Sequence, residues 1–252
     1  MITLSSDFGS PYPAAMKGVI LQQSAARLVD VSHDFPRGDV HSTAFWLREI
    51  LPYFPPAVHL VVVDPGVGTD RAAIVVRAGE HVLVGPDNGV LVPVARRFAG
   101  EAFDVFEIDD GDAESSTFHG RDVFAPAAAA VHETALDRLD ALDMLDPVES
   151  YVDLRFPDAV VGDRLAEGAV LVVDGFGNAI TNVPGDAVAE LKGARIDVNG
   201  TPVPFERSYA AVPPDEPLLT VGSHDNVELA VNGDRGDEYF GVEEGSKVRL
   251  RW

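Results

Sequence analysis

Three residues of this chain could do chemistry together: Asp64, Arg71 and His119, each set in a glycine- and proline-punctuated segment, VVVDPGVGTDR (61–71) and STFHGRDVFAPAAAA (116–130). An apolar, β-branched run that stops at Asp-Pro-Gly leaves its carboxylate at the carboxyl edge of a buried strand, where open α/β sheets bind ligands. A carboxylate, a guanidinium and an imidazole gathered there can orient one another and deprotonate a water. Each residue also has a plainer reading. An Asp-Arg pair seven apart in sequence is an ordinary ion pair, and a lone His is an ordinary structural side chain.

The elements that must position these residues alternate between strand-like and helix-like up to about residue 133, which predicts a layered α/β domain with a mainly parallel sheet. Ile2–Leu4 reads as a short strand, SSDFG (5–9) as a loop, and Pro13 to Leu28 carries helical apolar spacing. Ala44 to Leu51 marks a second helix stopped by Pro52. Strands follow at 58–63, 72–76 and 82–85, then a GPDNG turn (85–89) and a helix ending near Ala99. Asp122 is expected to N-cap a helix through the alanine run, with Pro126 in its first turn. Residues 135–165 are acidic and proline-punctuated and read as an interdomain connection. After them come turn signals at 177–178, 199–200 and 232–233 between β-rich runs, predicting hairpins and a small antiparallel β-barrel or sandwich. The expected division is an α/β domain over 1–150 and a β domain over 151–252.

Composition narrows the function. At 252 residues the chain has room for one large core or two modest ones. No apolar run nears the roughly 18 residues of a membrane span, and the first residues lack a basic segment followed by an apolar stretch, so the expected location is the cytoplasm. With no cysteine, disulfides and thiolate chemistry are excluded. The net charge of −22 is dispersed through nearly every loop, DDGDAE (109–114) among them, and only three lysines occur. Such a surface repels phosphate backbones, which argues against nucleic-acid binding, and suits concentrated salt, so a halophilic source is expected.

The motifs carry a resemblance. SSDFGS with MKG (5–10, 16–18), FPRGDV (35–40), VDPGVGTDR (63–71), GPDNG (85–89), FHGRDVFAPAA (118–128), DGFGNAITN (174–182) and GSHDNVELAVN (222–232) stand in an order that resembles the SAM hydroxide adenosyltransferases. These are adenosine-forming S-adenosyl-L-methionine (SAM) hydrolases, related to enzymes that attack the same substrate with halide. The resemblance covers nearly the whole chain. It implies an N-terminal α/β domain, a C-terminal β-barrel, and a homotrimer with active sites between subunits. Asp64, Arg71 and His119 would form the catalytic triad of the hydroxide-using branch. Asp7 would hold the ribose hydroxyls, Asn178 would read the adenine edge, Asp174 would meet the methionine ammonium, and Ser223, Glu228 and the backbone near Val231 would complete the pocket. On their own residues, Asp7 also reads as a helix cap, and Asp174, Asn178, Ser223, Glu228 and Val231 read first as hairpin and turn chemistry.

The implied reaction is displacement by water at C5′ of SAM, giving adenosine and methionine, with no cofactor and no metal, since a sulfonium leaves without help. His224 and Asp225 depart from the expected pattern beside Ser223. Two other classes fit the same residues: a halide adenosyltransferase, which the absence of an inserted loop between Gly89 and Ser115 disfavours, and a non-catalytic SAM- or adenosine-binding protein. A metal-dependent hydrolase using Asp7, Asp64 and His119 is a further reading, though close ligand spacing is lacking.

Overall fold

The structure is a computed structural model that describes residues 1–109, 111 and 117–252, so most of the DDGDAE stretch and the first residue of the 116–130 segment lie outside the described residues. The chain divides into two units, Met1–Arg155 and Phe156–Trp252.

The first unit is built on a seven-stranded sheet. Its strands are β1 (Ile2–Ser6), β2 (Leu28–Ser32), β3 (Val58–Val62), β4 (Ala73–Ala78), β5 (His81–Pro86), β6 (Phe103–Ile108) and β7 (Leu145–Val148), in the order β2-β1-β3-β5-β4-β6-β7. Pairing is parallel from β2 through β5 and antiparallel from β5 through β7. β1 and β3 are buried along their whole lengths, as expected of parallel strands covered on both faces. The helices are α1 (Tyr12–Gln23), α2 (Val40–Ile50), α3 (Val92–Ala99) and α4 (Ala125–His132). α1 packs with α4, and α2 with α3. In α4, Ala125, Ala127, Ala128 and Ala129 are fully buried and join Met16, Ile20, Leu4 and Leu60 in one core, because a side chain no larger than a methyl lets a helix lie close against a sheet.

Several local expectations give way to the structure. Helix α1 stops at Gln23, and the apolar residues beyond it start β2, whose half-buried residues mark it as the edge of the sheet. Asp122 does not cap α4. It lies inside a π-helical turn, Gly120–Phe124, that runs directly into α4, and its carboxylate pairs with the neighbouring Arg121; Pro126 does occupy the first turn of α4. The acidic stretch from 135 is not all connection, because Leu136–Ala141 forms a 3₁₀ helix and β7 pairs with β6.

The second unit is antiparallel: β8 (Val160–Gly162), β9 (Leu165–Val173), β10 (Ala179–Pro184), β11 (Arg195–Val198), β12 (Thr201–Pro204), β13 (Pro217–Val221), β14 (Asn226–Val231) and β15 (Lys247–Arg251), with the short helix α5 (Gly236–Phe240). The order is β12-β11-β15-β9-β10-β14-β13, with β8 added to β9. Phe205, just after β12, bridges Leu219 of β13, so the two ends of the sheet approach and nearly close a barrel. Its core includes Val170, Ile196, Phe205, Leu219, Leu229 and Leu250. The turns at 177–178 and 199–200 join hairpins. The third, at 232–233, leads from β14 toward α5 instead.

Candidate active site

Asp64 lies two residues beyond β3, after the buried Val63. Its neighbours are fixed by the GPDNG turn: Asn88 Nδ2 donates to the carbonyl of Val63 at 2.9 Å, and Asp87 N donates to the carbonyl of Ala72 at 2.9 Å. One turn therefore pins the segments on either side of the VDPGVGTDR loop. Gly85 has to be glycine, since a Cβ there would come within 2.4 Å of the Val61 carbonyl oxygen. The loop between folds on itself through Gly66 N to Asp64 Oδ1 at 3.2 Å and Thr69 Oγ1 to Gly66 O at 2.6 Å.

Arg71 returns from that loop onto Asp64. Its Nε donates to Oδ1 at 3.1 Å and its Nη2 to Oδ2, a two-point grip in which both side chains are nearly buried, 9% and 5% exposed. Nη1 donates to the Ala72 carbonyl at 2.5 Å, and the guanidinium carbon stands 5.3 Å from the centre of the Phe124 ring. The same Nη2 faces His119 Nδ1 at 3.4 Å. A guanidinium can only donate, so the facing ring nitrogen accepts and the proton of the neutral imidazole sits on Nε2. The three residues picked out by sequence are thus brought into direct contact.

Asp7 follows β1. Helix α1 has no side-chain cap, and Asp7 Oδ2 instead accepts from Gly38 N at 2.7 Å. That bond explains FPRGDV: Gly38 has φ +70°, and a Cβ-free residue presents its N–H in that conformation without strain. Asp7, Asp64 and His119 line one small cleft of about 80 Å³ with Phe8, Val62, Val67, and Phe118. Phe8, Tyr12 and Phe118 meet edge to face at 5.6 to 6.1 Å between ring centres and so tie the Asp7 loop to the His119 segment.

The remaining candidates belong to the second unit. Asp174 and Asn178 sit at the ends of the β9–β10 turn and bond to each other: Asp174 Oδ1 accepts from Phe176 N and Asn178 N at 2.9 and 2.8 Å, and Oδ2 accepts from Asn178 Nδ2 at 3.0 Å. Phe176 at the tip is 81% exposed. Glu228, buried on β14, accepts from Tyr209 Oη at 2.8 Å. Burial raises the Glu228 carboxyl above its ordinary range, helped by the charge of Asp174 and opposed by the Tyr209 hydrogen bond and by His224; burial and the same two carboxylates raise the Tyr209 hydroxyl. Gly222 covers this carboxylate so closely that a Cβ would fall 1.7 Å from Glu228 Oε1. Ser223 is exposed, with Oγ 3.4 Å from His224 Nε2. Val231 is buried at the end of β14. Sequence reasoning misses Tyr209, which stands alone in a stretch without motif; only its contact with Glu228 marks it.

Among the described residues no group of three or more His, Asp and Glu is placed to hold a metal ion, and no helix is long and apolar enough to cross a membrane. Asp64 in particular spends both oxygens on Arg71.

Residues 2–140 match the SAM hydroxide adenosyltransferase N-terminal domain and residues 168–249 the C-terminal domain of the same family. The chain belongs to the SAM hydroxide adenosyltransferase family. A relative from Salinispora tropica named (R)-S-adenosyl-L-methionine hydrolase is 38% identical, the match covering 99% of this chain and 97% of the relative. A protein of the same name from Thermus thermophilus is 39% identical over 97% of each chain. A crystal structure of an uncharacterised conserved protein from Thermotoga maritima has a TM-score of 0.85 at 32% identity, covering 100% of both chains.

Proposed function

We propose that this protein is an enzyme that hydrolyses S-adenosyl-L-methionine to adenosine and L-methionine, with Asp64, Arg71 and His119 as its catalytic residues. The relatives that carry the name of this activity match over nearly their full lengths. The observation that carries the catalytic assignment is Arg71 Nη2, which holds Asp64 and faces His119 Nδ1 at 3.4 Å beside the cleft. A water entering between these two nitrogens, which part to admit it, would accept from Nη2 and donate to Nδ1 in place of their direct contact.

Such a water is prepared for attack. As its oxygen bonds to C5′ of SAM, the C5′–S bond breaks and its electron pair returns to sulfur, neutralising the sulfonium and releasing methionine. The water's proton passes to His119 Nδ1, whose ring already carries one on Nε2, and the imidazolium then loses a proton to solvent. Arg71 stabilises the developing hydroxide, and Asp64 holds Arg71 in place. The leaving group is neutral on departure, so the reaction calls for neither an acid nor a metal. In-line positioning can supply about 7–11 kcal/mol of the barrier reduction. Substrate would be held by Asp7 at the ribose hydroxyls, by Asn178 at adenine, by Asp174 at the methionine ammonium and by the segment from Ser223 through Glu228 to Val231.

A cleft of about 80 Å³ is far smaller than the roughly 300–1,000 Å³ of small-molecule sites. This supports completion of the site by another surface, and we assign that surface to a neighbouring subunit of a homotrimer. Each variant alone should hydrolyse SAM with a raised KM, and mixed trimers of Asp7→Ala and Asn178→Ala subunits should regain part of the activity lost at low SAM. No recovery in confirmed mixed trimers would place the site within one chain.

The test of the reaction is hydrolysis in ¹⁸O-water with chromatography of the products. Label in the adenosine 5′-hydroxyl is expected. Adenosine formed without label would reject attack by water at C5′, and 5′-chloro-5′-deoxyadenosine from chloride buffer would favour the halide reaction.

A further inference from the structure

A chain of polar side chains braces the strand exit that carries Asp7. Ser6 ends β1, is fully buried, and has its Oγ 2.7 Å from His33 Nδ1. His33 Nε2 stands 3.0 Å from Asp30 Oδ1, and Asp30 Oδ2 accepts from Lys17 Nζ on α1 at 2.6 Å. The backbone repeats the connection: Gly9 N donates to His33 O at 2.9 Å and Phe35 N to Ser6 O at 3.4 Å. Residues 33–38 therefore straddle Asp7. His33 holds the residue before it, and Gly38 N holds its carboxylate at 2.7 Å.

Ser, His and Asp in a hydrogen-bonded row resemble a hydrolase triad, but the row cannot act as one here. Ser6 has no solvent-accessible surface from which to attack a substrate. The polarity of the row serves geometry instead. Asp30 can only accept, so His33 presents Nε2–H to it and leaves Nδ1 to meet the Ser6 hydroxyl, which fixes the rotamer of the side chain that precedes Asp7. Asp30 stays ionised as the end of this row. Burial pushes its carboxyl up, and the hydrogen bonds from Lys17 and His33 outweigh that and bring it below its ordinary value.

We infer that His33 is a positioning residue for substrate binding, acting through Ser6 to set the carboxylate of Asp7. The inference rests on the proposal that Asp7 holds the ribose of SAM. Its signature is a change in KM that depends on which half of the imidazole is kept.

The experiment compares wild type, Asp7→Ala, His33→Asn, His33→Gln and His33→Ala in SAM hydrolysis, with kcat and KM measured separately and melting temperatures recorded. An Asn amide reaches roughly where Nδ1 lies and can still meet Ser6, whereas a Gln amide reaches toward Asp30. His33→Ala and His33→Gln are expected to raise KM about tenfold with kcat little changed, and His33→Asn to restore KM to within about threefold of wild type. Equal KM in all three His33 variants, or a fall in kcat at constant KM, overturns the inference. If His33→Ala does not fold, the Asn and Gln pair decides alone. Wild type and Asp7→Ala keep the two claims apart. No hydrolysis by wild type, or no change of KM in Asp7→Ala, defeats the functional reading itself, whereas a raised KM in Asp7→Ala with unaltered KM in the His33 variants defeats only the role of His33.

Discussion

Arg71 and His119 meet through the same guanidinium nitrogen that grips Asp64, so the position of the imidazole relative to the carboxylate is set by one planar group. Lysine cannot reproduce this arrangement, because a point ammonium lacks the fork that meets two oxygens and a ring nitrogen in one plane.

His119→Ala is expected to lower kcat by about 10²–10⁴, the usual contribution of a positioned base, while KM for SAM changes little. Turnover equal to wild type would remove His119 from the mechanism.

Arg71→Lys should keep the charge and lose the grip, with kcat down by about 10² or more on the scale of a lost oxyanion donor. Asp64→Asn should leave Arg71 buried without its counter-charge, at a cost of about 3–5 kcal/mol of stability. Chemical denaturation measures the second effect, and an unchanged midpoint would show that the pair contributes nothing to the fold.

Glu228 gives a pH-dependent prediction. Its folded pKa is raised, chiefly by burial, so above the ordinary carboxylate range the native state retains a proton that the unfolded chain has released. Stability from this group is complete in acid and declines as pH rises through that window. Glu228→Gln should therefore raise the melting temperature at pH 7 by about 2–4 °C, equivalent to ~1 kcal/mol, and leave it unchanged near pH 4. A gain of equal size at both pH values would assign the effect to something other than ionisation.

The opposite sign holds for two histidines in the first unit. His59 is fully buried, accepts from or donates to Thr3 Oγ1 at 2.8 Å, meets His81 Nδ1 at 2.9 Å, and shares with His81 a stack against Phe98. Burial, then the neighbouring His81, lowers the His59 pKa to about 3, and burial lowers that of His81 against the pull of Glu80. The unfolded chain takes up protons near pH 6.5 that the native state refuses, so stability is complete above that value and falls as pH drops; for His59 the fall continues toward pH 3 at about 1.4 kcal/mol per pH unit, and His81 acts in the same direction. Melting curves of wild type and His59→Gln between pH 7 and 4 should converge as pH falls. Parallel curves would reject the assignment.

With 41 acidic and 19 basic residues, molar KCl should raise the melting temperature by screening repulsion within a few ångströms. A melting temperature unchanged between about 0.1 and 3 M KCl would reject salt adaptation of the surface.

Much of this is legible in the sequence. The run VHLVVV ending in Asp-Pro-Gly states both a buried strand and its exit, and Asp64 stands at that exit. The Gly-Asn and Asn-Gly pairs at 177–178 and 199–200 give true hairpins because each is flanked by strands on both sides. What sequence does not display is non-local. Residues 24–28 continue the apolar spacing of α1, and only pairing with β1 makes LVDVS a strand. The antiparallel half of the first sheet carries no mark that sets it apart from parallel strands, since both are apolar when covered. Tyr209 and His33 have no motif, and their significance comes from partners, Glu228 and Ser6, that are 19 and 27 residues away in sequence.

The strand order of the first unit also dictates when the site can exist during folding. β1 lies between β2 and β3, so the exit that bears Asp7 has both neighbours only after α1, β2 and α2 have been placed between them. β4 and β5, by contrast, are joined by two residues, Gly79 and Glu80, with Gly79 at φ +60° as the first position of a type II′ turn requires. That hairpin can close within microseconds on its own, whereas β5 must then find β3 across the loop that carries Asp64 and Arg71. The docking of a ready hairpin onto a waiting strand draws that loop shut and brings Asp64 and Arg71, at its two ends, within reach of each other.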